Sequence, residues 1–343
     1  MNADRQLVWV DVAKGLAVIL MVYGHVARGL FSAGLQVESQ ALSLVDSIIY
    51  SFHMPIFFFL SGMFFVSGVG RYGMRGFALK RIDLLLYPYV VWSLLQGGME
   101  LVFSGYKNHG ADWVSVLSFP WLPRNQLWFL YALLSISLFA LLLYKLPSWG
   151  RLGVSILMYG LAHVIELPLV VAYIAGFSVY FFLGSFLADR IEWLLESHRR
   201  GLFLIFTAIL FQYVFHGLLS LNYRDGGILL LPVAVFSLLA VLYVSRLMAR
   251  GHPALGIAFL GRQSMAIFLG HVIVLAGVRV ILFKVLSITS FEIHLLAGIF
   301  IAVLLPLLMV CGPLRPLFSV LFSPPARFSL FNAGTGRLSN VRV

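Results

Sequence analysis

The stretch Leu7-Val-Trp-Val-Asp11-Val-Ala-Lys14-Gly-Leu-Ala-Val-Ile-Leu-Met-Val-Tyr-Gly-His25-Val-Ala27 decides the class of fold. A helix needs about 20 apolar residues to cross about 30 Å of hydrocarbon, and this run has that length. Nine further runs of similar character follow, over 46–66, 82–103, 127–144, 152–168, 170–188, 201–220, 228–247, 264–284 and 294–312. Only a turn at Pro168 separates the fifth from the sixth. Barrel strands would alternate over about ten residues, and these runs do not. The expectation is an all-α, polytopic transmembrane helical bundle of about ten spans.

Composition agrees. Of 343 residues, 61% are hydrophobic and 11% charged, with mean hydropathy +0.97. A soluble domain carries about 25% charged residues, so a water-soluble surface is excluded. The net charge of +11 would suggest nucleic acid in a soluble chain. In a membrane protein it reads as topology. With both termini cytoplasmic, Arg28, Lys107, Arg124, Arg224 and Lys284 lie outside, and Lys14 and Arg279 lie within spans. The other seventeen of the 24 basic residues then fall inside, which is the positive-inside pattern. No nucleic-acid partner is expected. The single cysteine, Cys311, sits in an apolar run and reads as a packing residue. Asp11 and Lys14 break the first run too early for a cleaved signal, so it is expected to stay as a span. The membrane domain is assigned to residues 1–322, and the Ser-, Pro-, Gly- and Arg-rich stretch 323–343 to a disordered cytoplasmic tail. Trp113 and Trp121, in the outer loop 104–126, read as interfacial anchors.

Charges inside spans cost about 2.5–3.5 kcal/mol each at a helix centre, so they mark function or pairing. Asp11 and Lys14 are i, i+3 neighbours and can neutralise each other. Lys14 and His25 are eleven residues apart, which places them on one helix face, about 16 Å apart along the axis. His53, in Ser51-Phe-His53-Met-Pro55-Ile-Phe-Phe-Phe-Leu-Ser61-Gly62, lies near the outer end of the second span beside the Pro55 kink. His25 and His53 thus share a depth and form a candidate reaction centre; the plainer reading of His53 is a helix-end hydrogen bond. Ser61 and Gly62 are more ordinarily small packing residues. His163 and Glu166 have half the spacing of a metal site without a second half, and no metal is expected. His216, His271 and His294, taken singly, read as satisfied core or interfacial histidines. No P-loop, Rossmann glycine set, nucleophile elbow or zinc-protease helix is present. The densest basic run, Arg71, Arg75, Lys80 and Arg81, reads as an inner loop. It is either a topological signal or a phosphate-binding rim.

These residues carry a resemblance. Asp11-Val-Ala-Lys14-Gly with Gly24-His25, the Phe52–Gly62 segment, and Lys80-Arg81 with Pro88-Tyr89 resemble the membrane-bound acyltransferase-3 family. So do Gln126-Leu-Trp128-Phe-Leu-Tyr131 and Gly261-Arg-Gln-Ser-Met-Ala-Ile-Phe-Leu-Gly-His271. Within the family the chain is most similar to fucose 4-O-acetylase-like sugar acetyltransferases. The resemblance implies a ten-helix O-acetyltransferase of the bacterial inner membrane. It would move acetyl from cytoplasmic acetyl-CoA to a hydroxyl of a surface polysaccharide or a lipid-linked glycan precursor. Lys14 and His25 match the family's basic-x10-His pair. Arg81 matches an arginine motif whose second position is Leu84 here, so that motif is incomplete and Lys80 is its neighbouring cation. The expected catalytic residues are His25 and His53. The expected substrate-binding residues are Lys14, Asp11, Arg75, Lys80, Arg81, Ser61 and Trp128. Acetyl-CoA is expected as donor with no tightly bound cofactor. Partners are the glycan acceptor and membrane lipids. The rival from another class is a proton-coupled transporter or glycan flippase, to which buried histidines and acids also suit.

Overall fold

The computed structural model describes residues 8–35, 39–102, 113–250, 254–313 and 315–335. Lys107 and the stretch 336–343, which entered the charge count and the tail expectation, lie outside these. The described chain is helical: α1 (Val8–Ser32), α2 (Gln40–Met63), α3 (Phe65–Arg81), α4 (Tyr87–Val102), α5 (Trp113–Leu117), α6 (Trp128–Leu142), α7 (Ser148–Leu161) and α8 (Leu169–Leu187). There follow α9 (Ile191–Glu196), α10 (His198–Gln212), α11 (Leu230–Met248), α12 (Ala254–Arg262), α13 (Ser264–Val280), α14 (Phe291–Cys311), α15 (Arg315–Phe318) and α16 (Leu330–Thr335). Among the described residues, eight helices are long and apolar enough to cross a membrane. The two expected spans outside that set are present but shorter. The third opens with a π-helical turn, Ile82–Leu86, ahead of α4, and the fifth, α7, ends at Leu161, seven residues short of Pro168.

The chain forms two compact units. The first comprises residues 1–63 and 180–308, the second residues 64–179 and 309–343. In the first, α1 packs against α2, α11, α12 and α13. Glycines set the closest approaches: a Cβ on Gly15 would strike the Ile257 backbone, and one on Gly261 would strike the Asp11 carbonyl. Gly62 and Gly184 abut the backbones of Phe181 and Phe59 in the same way, bringing α2 and α8 together. Small residues let membrane helices approach where apolar side chains gain nothing by leaving lipid. Val12, Ala254 and Ala258 fill the α1–α12 seam.

In the second unit, the basic run expected as a loop is helical. Gly73 has φ 70° and breaks α3, a backbone position that glycine adopts without strain. The helix folds back there: the Phe65 and Phe77 rings lie 5.5 Å apart, whereas twelve residues of unbroken helix would span about 18 Å. Part of the stretch expected to be disordered is also placed. Asp83 caps α16, accepting from the Ser329 hydroxyl at 2.6 Å and from the Leu330 and Phe331 amides at 3.0 Å each. Phe331 is buried behind that cap. The Trp92 indole and the Tyr87 hydroxyl donate to the carbonyls of Leu321 and Val320, each at 2.8 Å.

Candidate active site

Three histidines of the first unit come together. His25 on α1 meets His271 on α13 edge-on, ring centroids 4.9 Å apart at 62°. His53 on α2 joins them through Tyr50, whose ring packs on Gly24, next to His25, and edge-on against His53. His271 and His53 are fully buried, and each spends one ring nitrogen on its own helix. The His271 Nδ1 donates to the carbonyls of Ile267 (3.0 Å) and Phe268 (2.8 Å), and the His53 Nδ1 to that of Ile49 (2.9 Å). A carbonyl only accepts, so the proton sits on Nδ1 in both rings, and in the neutral ring Nε2 is an acceptor. The Nε2 of His271 has no hydrogen-bond partner. His25 is half-buried and makes no such backbone bond among the described contacts, so both its nitrogens are available.

A clamp of charged and aromatic groups holds this cluster. Asp46, Tyr50 and His53 fall at i, i+4 and i+7 on α2 and so share one face. Arg28, one turn beyond His25, forms a bidentate pair with Asp46, its nitrogens 2.9–3.2 Å from the carboxylate oxygens. Its guanidinium lies 3.2 Å over the Tyr50 ring and donates to the Tyr223 hydroxyl at 3.1 Å. Tyr50 in turn presses edge-on against His53, centroids 4.5 Å apart. Gly24 permits this, because a Cβ there would lie 2.8 Å from the Tyr50 ring. Bidentate geometry fixes a guanidinium better than a point contact does. The clamp therefore sets where His53 stands.

At the other end of α1, Lys14 pairs with Asp11 at 2.7 Å, and Arg262 of α12 approaches the same carboxylate at 3.7 Å. In the second unit, Lys80 donates to the Tyr72 hydroxyl at 3.0 Å and stands 4.3 Å from that ring's centroid. Arg81 lies 4.9 Å from the centroid of Phe77, and Arg75 is exposed. Among the described residues no carboxylate pairs with Arg71, Arg75, Lys80 or Arg81, because the nearby acid, Asp83, is spent capping α16. The family model for the acyltransferase domain of the acyltransferase-3 family matches residues 7–311.

The chain belongs to the acyltransferase-3 family. No curated protein and no solved structure matches it. It is an integral membrane acyltransferase.

Of the residues expected at the site, the acyltransferase brings His25 and His53 into one cluster and Asp11 and Lys14 into one ion pair. Ser61 belongs to the same unit. Its hydroxyl is buried without a partner near the Gly62 helix crossing. Arg75, Lys80, Arg81 and Trp128 belong to the other unit. Trp128 stacks on Tyr173, centroids 5.6 Å apart at 22°. Sequence reasoning missed His271 as the ring against His25, although it closes the last quoted motif. It also read Arg28 only as a topological charge. Two signals were available: Arg28 follows His25 by three residues, and Asp46 and Tyr50 precede His53 at helical spacing.

Proposed function

We propose that this acyltransferase is an O-acetyltransferase of the bacterial cytoplasmic membrane. It takes acetyl from acetyl-CoA and delivers it to a hydroxyl of a surface polysaccharide or lipid-linked glycan precursor. The observation that carries the reading is the His25–His271 imidazole pair, held among membrane-spanning helices beside a third, backbone-tethered histidine. A helix bearing basic side chains without carboxylate partners supports an anionic donor, whose phosphates such cations suit.

His25 is the group with a free choice of nitrogen. As general base it takes the proton of the acceptor hydroxyl while that oxygen attacks the thioester carbonyl. The tetrahedral oxyanion collapses, the carbon–sulfur bond breaks, and the thiolate recovers the proton from the imidazolium. The products are an O-acetyl ester and free CoA thiol. The same ring can instead attack the thioester, expelling the thiolate as the carbon–sulfur bond breaks, and pass the acetyl group from nitrogen to the hydroxyl in a second step, the hydroxyl's proton going to the thiolate. The tautomers of His53 and His271 bear on their roles. With Nδ1–H tied to a carbonyl, each presents an acceptor, which orients a hydroxyl or the N–H of His25. Donating to an oxyanion would require a second proton, so His53 is better suited to orienting. Arg28 supplies fixed positive charge one turn from His25.

The test is transfer of radiolabelled acetyl from acetyl-CoA to surface carbohydrate by purified protein in liposomes, alongside release of CoA thiol. His25→Ala should lower transfer by about 10²–10⁴-fold, the usual contribution of one general base, with membrane insertion unchanged. Wild-type transfer in that variant would remove His25 from the chemistry. The same assay answers the transporter reading, which requires no thiol release.

A further inference from the structure

In the second unit, α4 carries a polar stripe that membrane burial does not favour. Tyr89, Ser93, Gln96 and Glu100 recur at i, i+4, i+7 and i+11 and line one face. The stripe is pinned at both ends to the segment 119–131. The Tyr89 hydroxyl donates to the Phe119 carbonyl, and its ring lies 5.6 Å from that of Tyr131. Glu100 pairs with Arg124, whose other arm donates to the Ser115 carbonyl at 2.7 Å. Between the pinned residues lie Gln96, 4% exposed, one turn before Glu100 on α4, and Gln126, 2% exposed, two residues past Arg124. In both, the side-chain oxygen and the nitrogen lack any hydrogen-bond partner. Native folds leave few buried polar groups unpaired, and two complete carboxamides between the same pins call for a ligand or water.

The surroundings define the ligand. Trp128, two residues after Gln126, stacks on Tyr173 and lies 5.0 Å from the Phe177 ring, with Tyr131 beyond. We propose that Gln96 and Gln126, with the Trp128–Tyr173 aromatic pair beside them, bind the sugar ring of the glycosyl acceptor. A carboxamide offers donors and an acceptor in one plane, and adjacent sugar hydroxyls each donate and accept. Aromatic faces match the C–H face of a pyranose. Glu100 and Arg124 neutralise each other, so the stripe holds no spare cation for a phosphate. An aliphatic chain would leave all four amide atoms unpaired. The inference rests on the proposed glycan acceptor and names the residues that recognise it.

The test uses full-length protein in liposomes, with de-O-acetylated surface carbohydrate from a deletion strain of the source bacterium as acceptor, dosed in hexose equivalents. Gln96→Met and Gln126→Met keep length and approximate volume while removing the hydrogen bonds. Each should raise the acceptor KM by roughly tenfold, the scale of one or two lost hydrogen bonds, and leave the KM for acetyl-CoA where it was. The thermal midpoint should hold or rise, because an unpaired buried amide has been removed. Wild-type acceptor KM in both variants overturns the proposal. So does a rise in the KM for acetyl-CoA, which would assign the amides to the pantetheine arm, or a fall in thermal midpoint, which would make them structural. Failure of the broader reading looks different, since the wild-type protein itself would then transfer nothing to carbohydrate.

Discussion

His271 sits fully buried against His25, with its Nδ1 proton held by two backbone carbonyls. That arrangement makes the ring a fixed acceptor rather than a mobile acid. Replacing it should disturb where His25 stands more than whether a base exists. His271→Ala is expected to lower kcat by about 10²-fold, the scale of a misplaced reacting group, and less than His25→Ala does. His53→Ala should behave alike, since its ring is held at one remove by Asp46, Arg28 and Tyr50. Single-turnover rates in the two variants check this. A loss as deep as that of His25→Ala would place the altered ring in direct contact with the reacting atoms.

Helix crossings decide how α1 presents its two ends. Gly15 and Gly261 let α1 and α12 touch backbone to backbone, and Arg262 thereby reaches the Asp11–Lys14 pair. A side chain at Gly261 has no room, because its Cβ would occupy the Asp11 carbonyl. Gly261→Val is therefore expected to destabilise the bundle by about 1–3 kcal/mol, as overpacking does, and to part Arg262 from Asp11. A thermal shift assay in detergent reads the first effect. An unchanged midpoint would mean that α12 yields freely and that this crossing is not a fixed point of the fold. The break at Gly73 is the corresponding device in the second unit, folding the basic helix back so that Lys80 reaches Tyr72.

Across the whole molecule, ion pairs gather at particular helices. In the first unit, Asp46 pairs with Arg28, Asp11 with Lys14, and Glu192 with Arg246 at 2.6 Å. The basic helix of the second unit has no such partners among the described residues, which leaves its charge for an external anion. Neutralising Arg75, Lys80 and Arg81 together is expected to raise the KM for acetyl-CoA by roughly 10–100-fold, the scale of one or two charge-assisted hydrogen bonds, with acceptor KM unchanged. Initial rates at varied acetyl-CoA check it. An unaltered KM, with insertion intact, would leave this charge as a topological signal alone.

The membrane class, the helical fold and the family were legible in the sequence because hydropathy, composition and short motifs are local properties of a chain. His25 was legible for the same reason: a histidine within an apolar run stands out against its neighbours. The partners were not. His271 joins His25, Tyr223 joins Arg28, and Ser329 joins Asp83 across most of the chain's length, so only helix packing decides which faces meet. Gln96 carried no signal in the sequence, and Gln126 entered only as the first residue of a quoted motif. Only their enclosure, with no hydrogen-bond partner in reach, made them informative. The cost of an unpaired buried amide depends on what surrounds it, and its neighbours along the chain do not reveal that.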